Sequence, residues 1–342
     1  MLCSLGPKGV GHWARFTSSD PSLMHWRYSN QTFIEGAVAG GFSQGPLFGR
    51  IPNAEVGGPT HLINNGKGDS FLLGTYDPAK EVMVVTMPPQ RLDCTTGDNF
   101  EWATTGPNGP NPAADSGRLL IVAWVYGPPA PSSMSLIRDL SWDAAARQLV
   151  SFPVPEYAGL RTKTIMEHES IGIVHPGALK TLPLPVGVGG SADVLLSFDL
   201  NDVDVAPGFG LAVRAPPGVY LGVAAVTMTV NHIGAADATT GGRHVSLSFV
   251  TPDPKADHDS NANATVLLLQ GETLDVRVLI DKSIVEVFVM GGRAAYVACD
   301  EFYHVANSSV HIFNAGTAPV AVSNASAYQM GCGWAHAKPL PI

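Results

Sequence analysis

Residues 279–296, LIDKSIVEVFVMGGRAAY, restrict the fold of this chain more than any other stretch. From Val276 the apolar positions alternate (Val276, Val278, Ile280). They then run through Ile284, Val285, Val287, Phe288 and Val289, a β-branched and aromatic series with strand periodicity. Asp281-Lys282-Ser283 interrupts the run with turn formers, and Gly291-Gly292 interrupts it again. Two adjacent glycines can take the positive φ that tight hairpin turns demand. The spacing therefore predicts three short antiparallel strands joined by two turns, with one face buried.

Similar apolar segments flank this stretch at regular intervals, at 194–198, 210–213, 219–230, 244–250, 265–269, 309–313 and 320–323. Turn residues separate them, a pattern that predicts two packed antiparallel sheets. The 37 glycines and 27 prolines are spread along the whole chain, as many short strands require. At 342 residues, 45% hydrophobic and only 14% charged, the chain is long and apolar enough for two globular domains. Twenty Lys and Arg against 29 acids give a net charge of −9 with no basic cluster, which excludes a nucleic-acid partner. The longest apolar runs, such as 119–126, fall well short of the roughly 18 residues that span a membrane. A soluble chain with no membrane partner is expected.

The hairpin residues carry a resemblance. Asp281, Ser283, Ile284, Val285, Glu286, Phe288, Gly291, Gly292 and Arg293 match the Asp-x-Ser-Ile-Val-Glu-x-Phe strand and Gly-Gly-Arg turn of glycoside hydrolase family 32, the invertase, inulinase and levanase (β-fructofuranosidase) family. In that family the signature belongs to the C-terminal β-sandwich, away from the chemistry. Glu286 sits among apolar neighbours, so a structural ion pair is expected of it, with Arg293 a candidate partner.

The first half resembles the family's propeller blades in the same order. Ser18 or Ser19, Asp20, Leu23 and Trp26 fit a Ser-x-Asp-Leu-x-x-Trp segment, and Leu73 to Pro78 fit Leu-Gly-Thr-Tyr-Asp-Pro. Asp77 in that segment reads as a turn residue, since the following proline presets φ. Ser135, Leu136, Arg138, Leu140 and Asp143 fit a later strand, and Pro153, Val154, Glu156, Leu160 and Arg161 fit Pro-Val-x-Glu-x-x-x-Leu-Arg. The implied fold is all-β: an incomplete five-bladed β-propeller, represented by its last blades, followed by a two-sheet antiparallel β-sandwich. Residues 1–152 would be the partial propeller, 153–165 a linker and 166–342 the sandwich.

The same resemblance nominates site residues. Where the family carries Trp-Glu-Cys-Pro-Asp-Phe, whose Glu is the general acid/base, this chain reads FSQGPLF, which places Gln44 at the catalytic position. A carboxamide cannot donate and recover a proton as that step requires, and the step is worth about 100- to 10,000-fold. A shifted register over NAEVGGP would restore a carboxylate at Glu55, with Glu35 a poorer third choice. The alternative for both glutamates is a solvated loop. Asp93 and Trp102 match the family's sugar-pocket pair, an aromatic edge beside a carboxylate suited to a sugar's CH face and hydroxyls.

Family 32 hydrolysis retains configuration, which requires two carboxylates roughly 5 to 5.5 Å apart. Neither the nucleophile's Asn-Asp-Pro-Asn motif nor the Arg-Asp-Pro motif occurs in these residues. The expectation is a hydrolase of the β-fructofuranosidase type, acting on sucrose or fructan, with this chain inactive by itself. The alternative is a non-catalytic carbohydrate-binding or interaction protein derived from such a hydrolase. Sucrose, inulin and levan stay open as substrates, as does hydrolysis against fructosyl transfer.

No cofactor is expected. Residues 257–261 briefly mimic a calcium loop, but the sixth-position Gly and closing Glu are missing, so no metal site is assigned. Cys3, Cys94, Cys299 and Cys332 form no CxxC pair, leaving either one disulfide or free buried thiols. Four Asn-x-Ser/Thr sequons, at Asn30, Asn263, Asn307 and Asn324, lean toward a secreted or vacuolar route. The first residues, MLCSLGPKGVGHW, contain no apolar signal core, so either the protein stays inside the cell or its true start is missing.

Overall fold

A computed structural model describes residues 2–5, 12–29, 33–35, 48–64, 70–94, 100–105, 117–125, 133–182, 184, 190–200, 206–215, 224–237, 241–251, 261–299 and 309–331. The fold is all-β, a propeller-type part followed by a β-sandwich, with the sheets almost wholly antiparallel. Two compact units divide it: Met1–Leu92, Asp98–Trp124 and Leu136–Ser151 in the first, and Asp93–Gly97, Val125–Ser135 and Phe152–Ile342 in the second.

The strands up to residue 153 are β1 (Leu2–Leu5), β2 (His12–Thr17), β3 (Arg27–Ser29), β4 (Ile34–Glu35), β5 (Phe48–Arg50), β6 (His61–Asn64), β7 (Ser70–Asp77), β8 (Val82–Arg91), β9 (Phe100–Thr105), β10 (Leu119–Val125), β11 (Ser133–Met134), β12 (Arg138–Asp143) and β13 (Gln148–Pro153). β1-β2-β3 form one sheet and β4-β8-β7-β6-β5 a second, while β9, β10, β12 and β13 take part in a third. β4 and β8 are a parallel pair, the exception among the described pairings. The turn after β7 forms as its sequence demands: Asp77 Oδ1 accepts hydrogen bonds from the Ala79 and Lys80 amides at 2.9 and 3.2 Å, closing it over Pro78.

The sandwich strands are β14 (Arg161–Glu169), β15 (Gly172–Val174), β16 (Leu179–Thr181), β17 (Ser191–Asp199), β18 (Phe209–Ala215), β19 (Val226–Ile233), β20 (Arg243–Val250), β21 (Asn261–Leu268), β22 (Leu274–Asp281), β23 (Ile284–Val289), β24 (Ala294–Cys299), β25 (Ser309–Asn314) and β26 (Val320–Met330). One sheet runs β14-β26-β17-β22-β23-β24 with β15 also on β26, and the other runs β16-β25-β18-β19-β20-β21. Alternation decides which side chains meet between them. Val276, Val278 and Ile280 of β22, with Val285, Val287 and Val289 of β23, join Phe209, Leu211, Val245, Leu247, Phe249 and Ile312 in one core. Each such side chain contributes about 1.5–3 kcal/mol on leaving water.

The two predicted turns close β22-β23-β24. Lys282 takes φ 49° in the first, and Met290, Gly291 and Gly292 take φ 52°, 63° and 93° in the second. Gly291-Gly292 therefore stands between paired strands, Val289 opposite Ala294. Arg293 closes this corner. Its Nη1 donates to Glu272 Oε2 and to the Leu267 carbonyl at 2.5 and 2.8 Å, and its Nη2 donates to Glu272 Oε1 at 2.9 Å. Leu267 lies in β21 of the opposite sheet, so the arginine of the Gly-Gly-Arg turn ties the two sheets together.

Strand reading falls short at 161–181. The segment read as a connector, 153–165, holds a 3-10 helix at Pro155–Leu160 and the first residues of β14. β14 buries only Met166 fully, so its sequence RTKTIMEHE carries no alternation to read. β26 continues to Met330, past the end expected near Ser323: a register shift against β17 at Ser197/Phe198 breaks the alternation there, and beyond it the strand stays paired with β17 and β14.

Candidate functional site

In the first unit, pairing assembles a small aromatic nest. β5 and β6 place Phe48 opposite Ile63 and Arg50 opposite His61. Phe48 therefore reaches diagonally to the His61 ring, stacked at 5.2 Å with 12° between planes. Tyr76 from β7 packs on both rings at 5.4 Å, and Phe33 meets Phe48 edge-on at 5.2 Å. Burial lowers the His61 pKa below its ordinary value, and the Arg50 guanidinium adds to the effect, both favouring the neutral imidazole. His61 Nδ1 and Thr60 Oγ1 are hydrogen-bonded at 2.9 Å.

The stretch holding Gln44 ends just before Phe48, and Gln44 itself lies outside the described residues. Glu55 stands on an exposed turn closed by the Gly58 amide donating to the Glu55 carbonyl at 3.1 Å. Its carboxylate is tethered: the buried Trp142 indole donates to Glu55 Oε1 at 3.2 Å. That bond fixes one oxygen of a side chain that is otherwise exposed. A carboxylate so placed can hydrogen-bond a hydroxyl group. Glu35 lies on β4, and Trp102 lies on β9.

Asp93 belongs to the second unit, where it is 1% exposed. Its neighbour Cys94 pins it there, since both the Cys94 amide and its Sγ–H donate to the Ala295 carbonyl of β24 at 2.8 Å. Residues 93 and 94 thereby cover the edge strand of that sheet. Burial raises the Tyr296 phenol pKa well above its usual value, and Cys94 and Asp93 push it further in the same direction. At this burial the Asp93 carboxyl is closed to a sugar in solution. Neither Cys94 nor Cys299 is joined in a disulfide.

The outer face of the β14-to-β24 sheet holds a charged cluster that the sequence reading passed over. Asp193 of β17, fully buried, accepts from Arg277 Nε and Nη2 at 2.9 Å each and from Arg161 Nε and Nη2 at 2.9 and 2.7 Å. Arg161 stacks over the Tyr328 ring at 3.9 Å, and Arg277 faces the Phe152 ring at 5.4 Å. Glu286 shares this face, opposite Leu279 and diagonal to Arg277, with Phe288 beside it packed edge-on to Phe152. The signal was present in the pattern: Asp193 between Ala192 and Val194, and Arg277 between Val276 and Val278, are single charges inside apolar strands and so require a charged partner. Among the described residues, no three or more His, Cys, Asp or Glu side chains gather in a way that could hold a metal ion.

The sequence model described as Glycosyl hydrolases family 32 C terminal matches residues 156–329. Fructan 6-exohydrolase from Triticum aestivum is 23% identical, over 95% of this chain and 62% of its own length. Sucrose:sucrose 1-fructosyltransferase from Festuca arundinacea is 24% identical, over 77% of the chain and 44% of its own length. Beta-fructofuranosidase insoluble isoenzyme 6 from Oryza sativa subsp. japonica is 27% identical, over 77% and 50%. This chain thus spans less than two thirds of each of these curated relatives. Among solved structures, fructan 1-exohydrolase IIa from Cichorium intybus superposes with a TM-score of 0.75 at 20% identity, covering 96% of this chain and 68% of that one. Exo-inulinase from Aspergillus awamori gives 0.61 at 16% identity, covering 94% and 63%.

Proposed function

Because the chain belongs to glycosyl hydrolase family 32, we propose that it is the sandwich-bearing part of a β-fructofuranosidase-type enzyme, with sucrose or a fructan as the substrate class. The observation that carries the reading is the family match over 156–329, in which the Gly291-Gly292 turn and the Arg293 corner take up their places between paired strands. The names of the three relatives, an exohydrolase, a fructosyltransferase and a fructofuranosidase, support fructosyl chemistry as the class. On this reading residues 1–152 supply propeller-type blades and 166–342 the sandwich, joined through 153–165. A secreted or vacuolar location goes with it.

We infer further that these 342 residues do not cleave fructosides by themselves. Gln44 at the acid/base position would neither protonate a leaving alkoxide nor deprotonate water, and the sequence holds no Asn-Asp-Pro-Asn nucleophile motif. Glu55, the alternative carboxylate, is engaged by Trp142 on an exposed turn.

The test is fructose release from sucrose, inulin and levan by the purified chain. No release above a protein-free blank is expected, and clear turnover would overturn the inference of incapacity. Calorimetric titration with fructose oligomers then separates the two remaining readings. Saturable heat without turnover would make the chain a carbohydrate-binding derivative, whereas its absence supports an enzyme portion that needs more than these residues to hold sugar.

A further inference from the structure

Two of the four sequons fall within described strands, and the fold treats them in opposite ways. Asn263 lies on β21, which among the described strands pairs with β20 and stands at the end of its sheet. Along β21 the side chains of Ala262, Ala264, Val266 and Leu268 pack into the core, so Asn263 and Thr265 share the outward face, and both are exposed. Across the ladder they stand opposite Ser248 and Ser246, both small hydroxyl side chains. The sequon's hydroxyl and its amide therefore project together into solvent.

Asn324 sits in β26, paired with β17 on one side and with β14 and β15 on the other. Its Oδ1 is buried, and the sequon serine, Ser326, is 3% exposed with its Oγ accepting from the His168 amide at 2.9 Å. A glycan at half-buried Asn324 would have to grow from beside this closed-off oxygen and the bond between the His168 amide and Ser326, so a chain modified there is expected not to reach this fold.

We propose that Asn263 is an N-glycan attachment site and that the Asn324 sequon stays bare in the folded protein. The donor is a lipid-diphosphate-linked oligosaccharide. The Asn263 side-chain nitrogen forms a bond to C1 of its first sugar, and the C1–O bond to the diphosphate breaks. The lipid diphosphate leaves with that bond's electron pair, and the amide proton passes to a base of the transferase. None of this depends on fructosyl chemistry. It requires only the secretory route, which the assay supplies.

The chain, carrying Asn30→Gln and Asn307→Gln so that two sequons remain, is translated behind a secretion leader with microsomes. Thr265→Ala is expected to remove a glycan mass step, and an unchanged gel pattern overturns the proposal. Soluble protein secreted from a eukaryotic host is then deglycosylated enzymatically in heavy-oxygen water. Isotope-labelled aspartate at position 263 and unlabelled asparagine at 324 is the expected result. Label at 324 in that soluble fraction, or none at 263, overturns it.

Discussion

The sandwich and the first unit spend their apolar residues differently. In β22, β23 and β24 nearly every position is buried on both faces: Val285, Val287 and Val289 enter the core between the sheets, while Ile284, Glu286 and Phe288 are closed off on the other side. β8 of the first unit buries Val82 and Met83 at one end and then alternates between intermediate and exposed. There a small cluster of Phe33, Ile34, Ile63, Leu72 and Met83 gathers among short strands and long turns. The difference separates scaffold from surface: the sandwich is built to persist, whereas the first unit keeps exposed turns such as the one that carries Glu55.

Removing Asp193 should narrow that contrast most. It answers two guanidinium groups, so Asp193→Ala leaves Arg161 and Arg277 facing each other across a buried surface, at a cost of about 3–5 kcal/mol. Hydrogen exchange resolved by peptide should show faster exchange across β17, β22 and β26 while peptides of 70–91 keep their protection. Equal loosening of both units would break the comparison.

A matched pair of glycines tests it next. A methyl group on Gly74 would lie 2.0 Å from the Val84 carbonyl oxygen, and one on Gly210 would lie 1.9 Å from that of Met228. Backbone cannot give way as a side-chain end can, so each alanine should cost about 3 kcal/mol, the upper end for overpacking. Gly74→Ala should loosen only β7 and β8, and Gly210→Ala only β18 and β19. Crossed effects in the exchange pattern would show that the two units share their stability.

The contrast also explains what could be read in advance. β22, β23 and their turns were legible because local propensity, alternation and turn chemistry agree there, down to Gly291-Gly292. β14 was not, since one buried residue in nine gives no period. Asp193 and Arg277 were legible only as isolated charges, because their partnership is made across strands 84 residues apart. Asp93 was read beside Trp102 as half of a sugar pocket. Its burial follows from Cys94 bonding to Ala295, a contact spanning 201 residues that no window of sequence shows. Glu55 was open to two readings, and the indole that holds it lies 87 residues away.

The smallest expected effect is one of pH, and it belongs to the first unit. His61 is held below its ordinary pKa of 6.5, by burial first and by Arg50 second, with Phe48, Tyr76 and Thr60 as its other neighbours. Between the folded and unfolded values the unfolded chain binds the extra proton, so stability rises with pH through that window. The contribution is complete above pH 6.5 and is lost as pH falls below it. Tryptophans 13, 26, 102, 124 and 142 all lie in the first unit, with only Trp334 in the second, so indole fluorescence reports mainly on the unit that holds His61. The urea midpoint followed by that signal should drop on acidification through this window, and His61→Phe, which keeps an aromatic face against Phe48, should flatten the slope. A slope unchanged in His61→Phe would place the titrating group elsewhere and remove the histidine from the account of what steadies this nest.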